Sequence, residues 1–245
     1  MRALLVALLT LLAVPAAAVE CKDITYLGEA YTLCEVDAAE DELRLFLVNP
    51  DSGAPFGSFE NVEARLGKAD ETLGFAMNAG MYHSDRRPVG HYVEGGTQIS
   101  PVISSDGPGN FGLLPNGVFC VRDGRADVIE TLRYLNEEPG CTFASQSGPM
   151  LVIDGALHPK FLKDSDSYYI RNGVGTSADG SKVWFAISQG TVNFHTFATF
   201  FRDELKAPQA LYFDGNISRL YAPGLGRNDG GFPMGPIVGV VNKAE

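Results

Sequence analysis

The sequence predicts an α+β fold, mostly β-strands in a mixed or antiparallel central sheet with a few helices packed on it. Three observations lead there. Short apolar runs bounded by Gly, Asp, Asn or Pro recur along the chain, and they are rich in β-branched and aromatic residues. Several of these runs carry little polar alternation, which calls for cover on both faces of the sheet. Helical periodicity is confined to two stretches.

Taken in order, the chain begins with Arg2, an apolar stretch from Ala3 to Val14 broken only by Thr10, and then Ala16, Ala17 and Ala18. These are the charged, apolar and small-residue regions of a secretory signal peptide cleaved after Ala18. The apolar stretch falls short of the roughly 20 residues that a membrane span requires. Residues 19–245, which no linker or charge block divides, are expected to form a single domain, free of the membrane after cleavage and exported to a periplasmic or secreted space. LRLFLV (43–48) is the first strand, SFENVEARL (58–66) a helix with Phe59, Val62 and Leu66 on one face, and LGFAMN (73–78) the next strand. GVFCV (117–121), MLVIDG (150–155) and VWFAIS (183–188) follow as strands, with ADGSK before the last read as a hairpin turn. In NFHTFATFFRDEL, Phe194, Phe197, Ala198, Phe201 and Leu205 make a helical stripe with Asn193 as N-cap; such a stripe packs against a sheet. ALYFDG (210–215) and PIVGVV (236–241) complete the strands.

Four cysteines in an exported chain favour disulfides. Three pairings can be drawn; Cys21 with Cys34 and Cys120 with Cys141 close two local hairpin-like segments and are the expected ones. No CxxC or clustered Cys/His spacing suggests a metal, and no cofactor is expected. The formal net charge of −11 argues against nucleic-acid or anionic-membrane partners, which favour basic surfaces.

Three strand-like runs end in polar side chains beside glycine: Asn78 before Gly80, Gln146 and Ser147 before Gly148, and Asp214 before Gly215. Glycine there permits positive φ or close approach of a ligand to the main chain, so three such ends suggest a pocket rim. The loop HSDRRPVGHYVEGG (83–96) adds His83, His91 and Glu94, and YYIRNGVGTS places Arg171 and Asn172 after apolar residues. An arginine at the end of an apolar run in an acidic protein suits bidentate binding of phosphate or carboxylate. The GxSxG, HExxH and P-loop patterns are missing, and the glycines of RNGVGTSADG do not have the GxGxxG spacing.

FAMNAGMY, PVGHYVEGG, ASQSGPMLV, IRNGVGTS and ALYFDGNISRLYAP, in this order, resemble the phosphodiester glycosidase domain family from about Leu43 to Val241. The resemblance implies hydrolysis of a sugar-1-phosphodiester at the anomeric carbon, yielding free sugar and a phosphomonoester. It implies a site containing Asn78, Gly80, Gln146, Ser147, Gly148, Arg171, Asp214 and Gly215. Many members follow the aspartate with a glycine-rich, serine-ending stretch, where this chain has Asn216, Ile217 and Ser218. Ordinary glycosidases use two carboxyl groups. A phosphomonoester leaves more readily than an alkoxide, so one carboxylate beside cations and amides can suffice. Asp214 is then the expected catalytic carboxylate, Arg171 the phosphate clamp and Glu94 the reserve carboxylate. His91 and His83 are candidate proton donors, and Asn172 joins the substrate contacts. Two other readings remain open: an exported carbohydrate or cell-wall-polymer binder without turnover, and a hydrolase acting at phosphorus, which usually recruits two metals.

Overall fold

A computed structural model describes residues 19–244; the expected signal peptide lies outside them. The strands divide among three sheets, and every pairing is antiparallel. The largest runs, in spatial order, Glu20–Tyr26 (β1), Glu29–Asp37 (β2), Lys182–Ser188 (β13), Asn172–Thr176 (β12), Gln209–Asp214 (β14), Met150–Ile153 (β10) and Ala156–Leu157 (β11). A second sheet holds Arg227–Asn228 (β16), Leu220–Ala222 (β15), Glu71–Asn78 (β4), Ile237–Lys243 (β17) and Glu42–Phe46 (β3). The third holds Thr97–Ser100 (β6), Tyr92–Glu94 (β5), Phe143–Ser147 (β9), Gly117–Arg122 (β7) and Arg125–Glu130 (β8).

The expectation of one central sheet, mixed or antiparallel, is corrected to three antiparallel sheets around a shared core. Side-chain alternation along the strands explains the arrangement. Leu211 and Phe213 of β14 point into a core with Phe75, Met77 and Val238 of the second sheet and Phe119 and Val128 of the third. Ala210 and Tyr212 point the other way, into a cluster with Phe197, Phe200 and Phe201. Thus β14 is covered on both faces, as its unbroken apolar run requires, but by two further sheets on one side and a helix on the other.

Helices cap the outer faces. Phe59–Leu66 (α1) buries Phe59, Val62 and Leu66, and the Ser58 side chain accepts from Asn61 N at its start. Thr131–Glu137 (α2), which periodicity does not reveal, lies against β7 and β8. Phe194–Thr199 (α3) is capped by Asn193 and passes into a π-helical turn, Phe200–Glu204, so the phenylalanine stripe spans two helix types. The segment 177–181 joins β12 to β13 as the anticipated hairpin. Both expected disulfides form: Cys21–Cys34 links register partners across β1 and β2, and Cys120–Cys141 ties β7 to the segment before β9.

Candidate functional site

The three polar strand ends come one from each sheet and meet at a single place. Asn78 ends β4 in the second sheet, Ser147 ends β9 in the third, and Asp214 ends β14 in the first. Asn172, opening β12, pairs in register with Asp214. Asn78 and Asn172 exchange side-chain hydrogen bonds: Asn78 Nδ2 donates to Asn172 Oδ1 (3.2 Å), and Asn172 Nδ2 donates to Asn78 Oδ1 (2.9 Å) and to its carbonyl (3.0 Å). Asn172 Oδ1 also accepts from Asp214 N at 3.2 Å, while Ser147 Oγ donates to Phe213 O at 2.9 Å. Buried amides and hydroxyls therefore clamp the sheets around the aspartate, each polar group satisfied by a neighbour.

Asp214 projects from this joint into a cavity of about 550 Å³. Its Oδ1 accepts from Gly215 N (2.6 Å) and Asn216 N (2.9 Å), and Oδ2 has no partner among the described residues. Burial pushes the carboxyl above its ordinary value, against the turn amides that pull it down. Among the described residues Asp214 is the single carboxylate lining the cavity, whose walls include Tyr82, Phe111, Tyr169 and Tyr212. A volume in this range and an aromatic lining with a few convergent polar groups suit a small ligand.

Gly215 is required by crowding rather than by positive φ, since a Cβ there would lie 2.2 Å from the Tyr212 hydroxyl. Gly148 is similar: its Cβ would lie 2.7 Å from Asn116 Cβ and 3.1 Å from the carbonyl of Phe111, a wall residue. Gly80 does take positive φ, 149°, and a Cβ there would meet Ser145 Oγ at 3.0 Å.

Among the anticipated residues, Asp214 and Gly215 line the cavity; Asn78, Gly80, Ser147, Gly148 and Asn172 stand behind it as the joint. Gln146 is bound up inside the fold, its Oε1 accepting from His91 N and Ile103 N, both at 3.0 Å, and its Nε2 donating to Ile103 O at 2.7 Å. His91 is engaged at both ring nitrogens: Nδ1–H donates to Ser100 O (2.9 Å), which leaves Nε2 to accept from Tyr134 OH (2.9 Å). Burial pushes its pKa down, so it is a neutral packing residue and not a proton donor to this cavity. Glu94 accepts from Tyr92 OH at 3.0 Å and lines a separate cavity of about 420 Å³ with Arg44, Phe46 and Phe143. Its nearness to His91 in sequence does not become nearness to Asp214, because the strand β5 carries it away. His83 is exposed in a turn and does not line the cavity.

Arg171 is fully buried and lies one layer beneath the cavity. Its Nε donates to Val192 O and its Nη2 to Ser167 O, both at 2.8 Å, and its guanidinium carbon sits 3.6 Å from the Phe194 ring centroid and 5.3 Å from that of Tyr212. Nη1 and the Tyr212 hydroxyl are both buried without a hydrogen-bond partner. Among the described residues, every arginine pairs with a carboxylate except Arg86, Arg171 and Arg219. None of the three lines the cavity, but each stands behind a residue of its wall or of the joint, Arg86 at Tyr82, Arg171 at Tyr212 and Arg219 at Asn78. Arg86 stacks 5.3 Å from the Tyr82 ring centroid, and the Tyr82 phenol feels Arg86, Asp214 and Arg219 together. Arg219 takes its place through its own N–H, which donates to Asn78 Oδ1 at 2.9 Å, and its guanidinium reaches Phe232 O.

The phosphodiester glycosidase family model matches residues 71–234, more than half of the chain. The chain belongs to the phosphodiester glycosidase family. The matched span takes in Asn78, Ser147, Arg171, Asn172 and Asp214. Across 217 residues, 89% of this chain and 83% of the relative, it is 33% identical to the uncharacterized protein YigE of Escherichia coli (strain K12). Among solved structures it shares its fold with the catalytic domain of zebrafish N-acetylglucosamine-1-phosphodiester alpha-N-acetylglucosaminidase, auto-inhibited by its pro-peptide. The TM-score is 0.63 at 14% identity, covering 92% of this chain and 84% of that one. A hypothetical protein from Synechocystis has the same fold, with TM-score 0.60 at 13% identity over 90% of this chain and 61% of that one. Membership in a phosphodiester glycosidase family supports a hydrolase.

Sequence reasoning did not select Tyr212, Tyr82 or Arg219. Tyr212 carried a usable signal: it stands two residues before Asp214, and strand alternation puts both on one face.

Proposed function

We propose that the protein is an exported hydrolase that cleaves the glycosidic bond of a sugar-1-phosphodiester, such as an alpha-GlcNAc-1-phosphodiester, to free sugar and a phosphomonoester. One observation carries the reading: a buried carboxylate with one oxygen fixed by turn amides and the other free faces a cavity beside three arginines that lack counter-ions. In a chain of net charge −11, leaving three such cations at one place is costly unless an anion completes it. A single cavity-lining carboxylate also suits a phosphate leaving group better than an alkoxide, which needs a second carboxyl as acid.

In this reading the sugar ring lies among Tyr82, Phe111 and Tyr169, and the phosphate lies toward Tyr212, which Arg171 backs. Asp214 stabilises the positive charge that develops at the anomeric carbon, and across the full reaction takes up the proton that water gives up. The two formed disulfides support export to an oxidising compartment. No helix among the described residues is long and apolar enough to cross a membrane.

Turnover of an alpha-GlcNAc-1-phosphodiester by residues 19–245, measured beside Asp214→Asn, tests this directly. The expected outcome is release of free sugar by the wild type and a loss of roughly 10³-fold or more in the variant. Unchanged affinity in both proteins with turnover in neither would favour the binding protein instead.

A further inference from the structure

Two polar atoms at the base of the cavity, the Tyr212 hydroxyl and Arg171 Nη1, lie beside each other and neither makes a well-formed hydrogen bond. Tyr212 lines the cavity, its ring stacked edge-on against Phe194 at 4.8 Å, yet its hydroxyl makes no hydrogen bond. Beneath it, Arg171 spends Nε and Nη2 on Val192 and Ser167 and leaves Nη1 unused. A buried phenol and a buried guanidinium nitrogen left unsatisfied at the same point are rare in a folded protein, and a ligand's acceptor oxygen at the phenol would recover part of the cost. Gly215 reinforces the point. The chain gives up any side chain there so that the phenol oxygen can lie against the backbone that follows Asp214.

We infer that Tyr212 is a catalytic residue: its hydroxyl donates a hydrogen bond to the leaving phosphate, while Arg171 is a positioning residue that holds and polarises it from below. This rests on the glycosidase reading above. The charge balance shows why such a donor is needed. When the bond between the anomeric carbon and the bridging oxygen breaks, its electron pair stays on that oxygen, and the diester monoanion becomes a phosphomonoester dianion. Water adds to the anomeric carbon and loses one proton to Asp214, from which it passes to solvent. Tyr212 keeps its proton throughout. Its hydrogen bond strengthens as negative charge gathers on the phosphate, so it favours the transition state over the bound substrate. Arg171 does not line the cavity, whereas Tyr212 does, so its charge reaches the phosphate through the phenol.

Tyr212→Phe removes one unpartnered hydroxyl and keeps the ring, so the fold stands. The expected result is a fall in kcat of roughly 10²–10³-fold with KM little changed. Calorimetric binding of inorganic phosphate, which needs no turnover, is expected to weaken by about tenfold. Combining Tyr212→Phe with Arg171→Lys should cost little beyond Tyr212→Phe alone, because the two act as one unit; a purely structural arginine would give additive losses. Where the wild type turns over, unchanged kcat in Tyr212→Phe overturns the assignment, and the glycosidase reading then stands on Asp214→Asn alone. Where no protein turns over, weakened phosphate binding in Tyr212→Phe keeps the phenol–phosphate contact and removes the glycosidase reading. Phosphate affinity that is absent or unchanged in that case overturns both.

Discussion

At Asp214, burial and hydrogen bonding oppose each other, and burial prevails: the carboxyl is held above its ordinary range although turn amides donate to it. A carboxyl raised in the folded state binds its proton more tightly there than in the unfolded chain, so folding is favoured at low pH and loses that advantage as pH rises through the folded value. Asp214→Asn is therefore expected to be more stable than the wild type at neutral pH. The difference should disappear below the unfolded value of about 3.9. Denaturant unfolding at several pH values measures it, and a variant less stable at neutral pH would contradict it. Activity has the opposite requirement. The free Oδ2 must be ionised to accept a proton, so the acidic limb of kcat/KM should lie above the usual carboxylate range and vanish with Asp214→Asn. A residue kept at a cost to stability is the mark of a site that the fold supports rather than one that supports the fold.

Among the elements, three sheet ends meet where no single strand could build a pocket, and the amide pair Asn78–Asn172 fixes the meeting point. Much of this was legible in the sequence. Asn78, Ser147 and Asp214 stand out because each ends an apolar run that otherwise has no reason to turn polar, and the hairpin turn and helix caps carry their own local chemistry. What could not be read was long-range. Gln146 looks like a rim residue until its partners at His91 and Ile103 are known, and Glu94 sits near the pocket loop in sequence but on another face in space. Tyr212 was hidden by its setting, because ALYFD reads as core and Tyr212 is indeed core apart from its hydroxyl. Gly215→Ala tests this level. Its Cβ would meet the phenol oxygen at 2.2 Å, so the turn or the ring must shift, and kcat/KM is expected to fall by about tenfold or more with circular dichroism unchanged. Gly190→Ala, with nothing within 4 Å of its Cβ, is the matched control and should be silent.

Over the whole molecule, a net charge of −11 repels an anionic substrate, whereas Arg86, Arg171 and Arg219 attract it only at close range. Salt screens the two unequally. The Debye length is about 30 Å at 0.01 M and about 10 Å at 0.1 M, so the distant surface charges fade first and the buried Arg171 and Arg219 least. For an anionic diester, kcat/KM is expected to rise as ionic strength increases across that range; a steady fall would mean that exposed cations govern capture. Arg219→Gln should remove part of the local attraction and raise KM by about tenfold.

The decisive measurement is hydrolysis of an alpha-GlcNAc-1-phosphodiester in oxygen-18 water, with the label located by NMR. The expected result is label on the anomeric oxygen of the free sugar and none on the phosphomonoester, with both products lost in Asp214→Asn. Label on the phosphate, or a sugar phosphate as product, would place bond cleavage at phosphorus and contradict a carboxylate acting at the anomeric carbon.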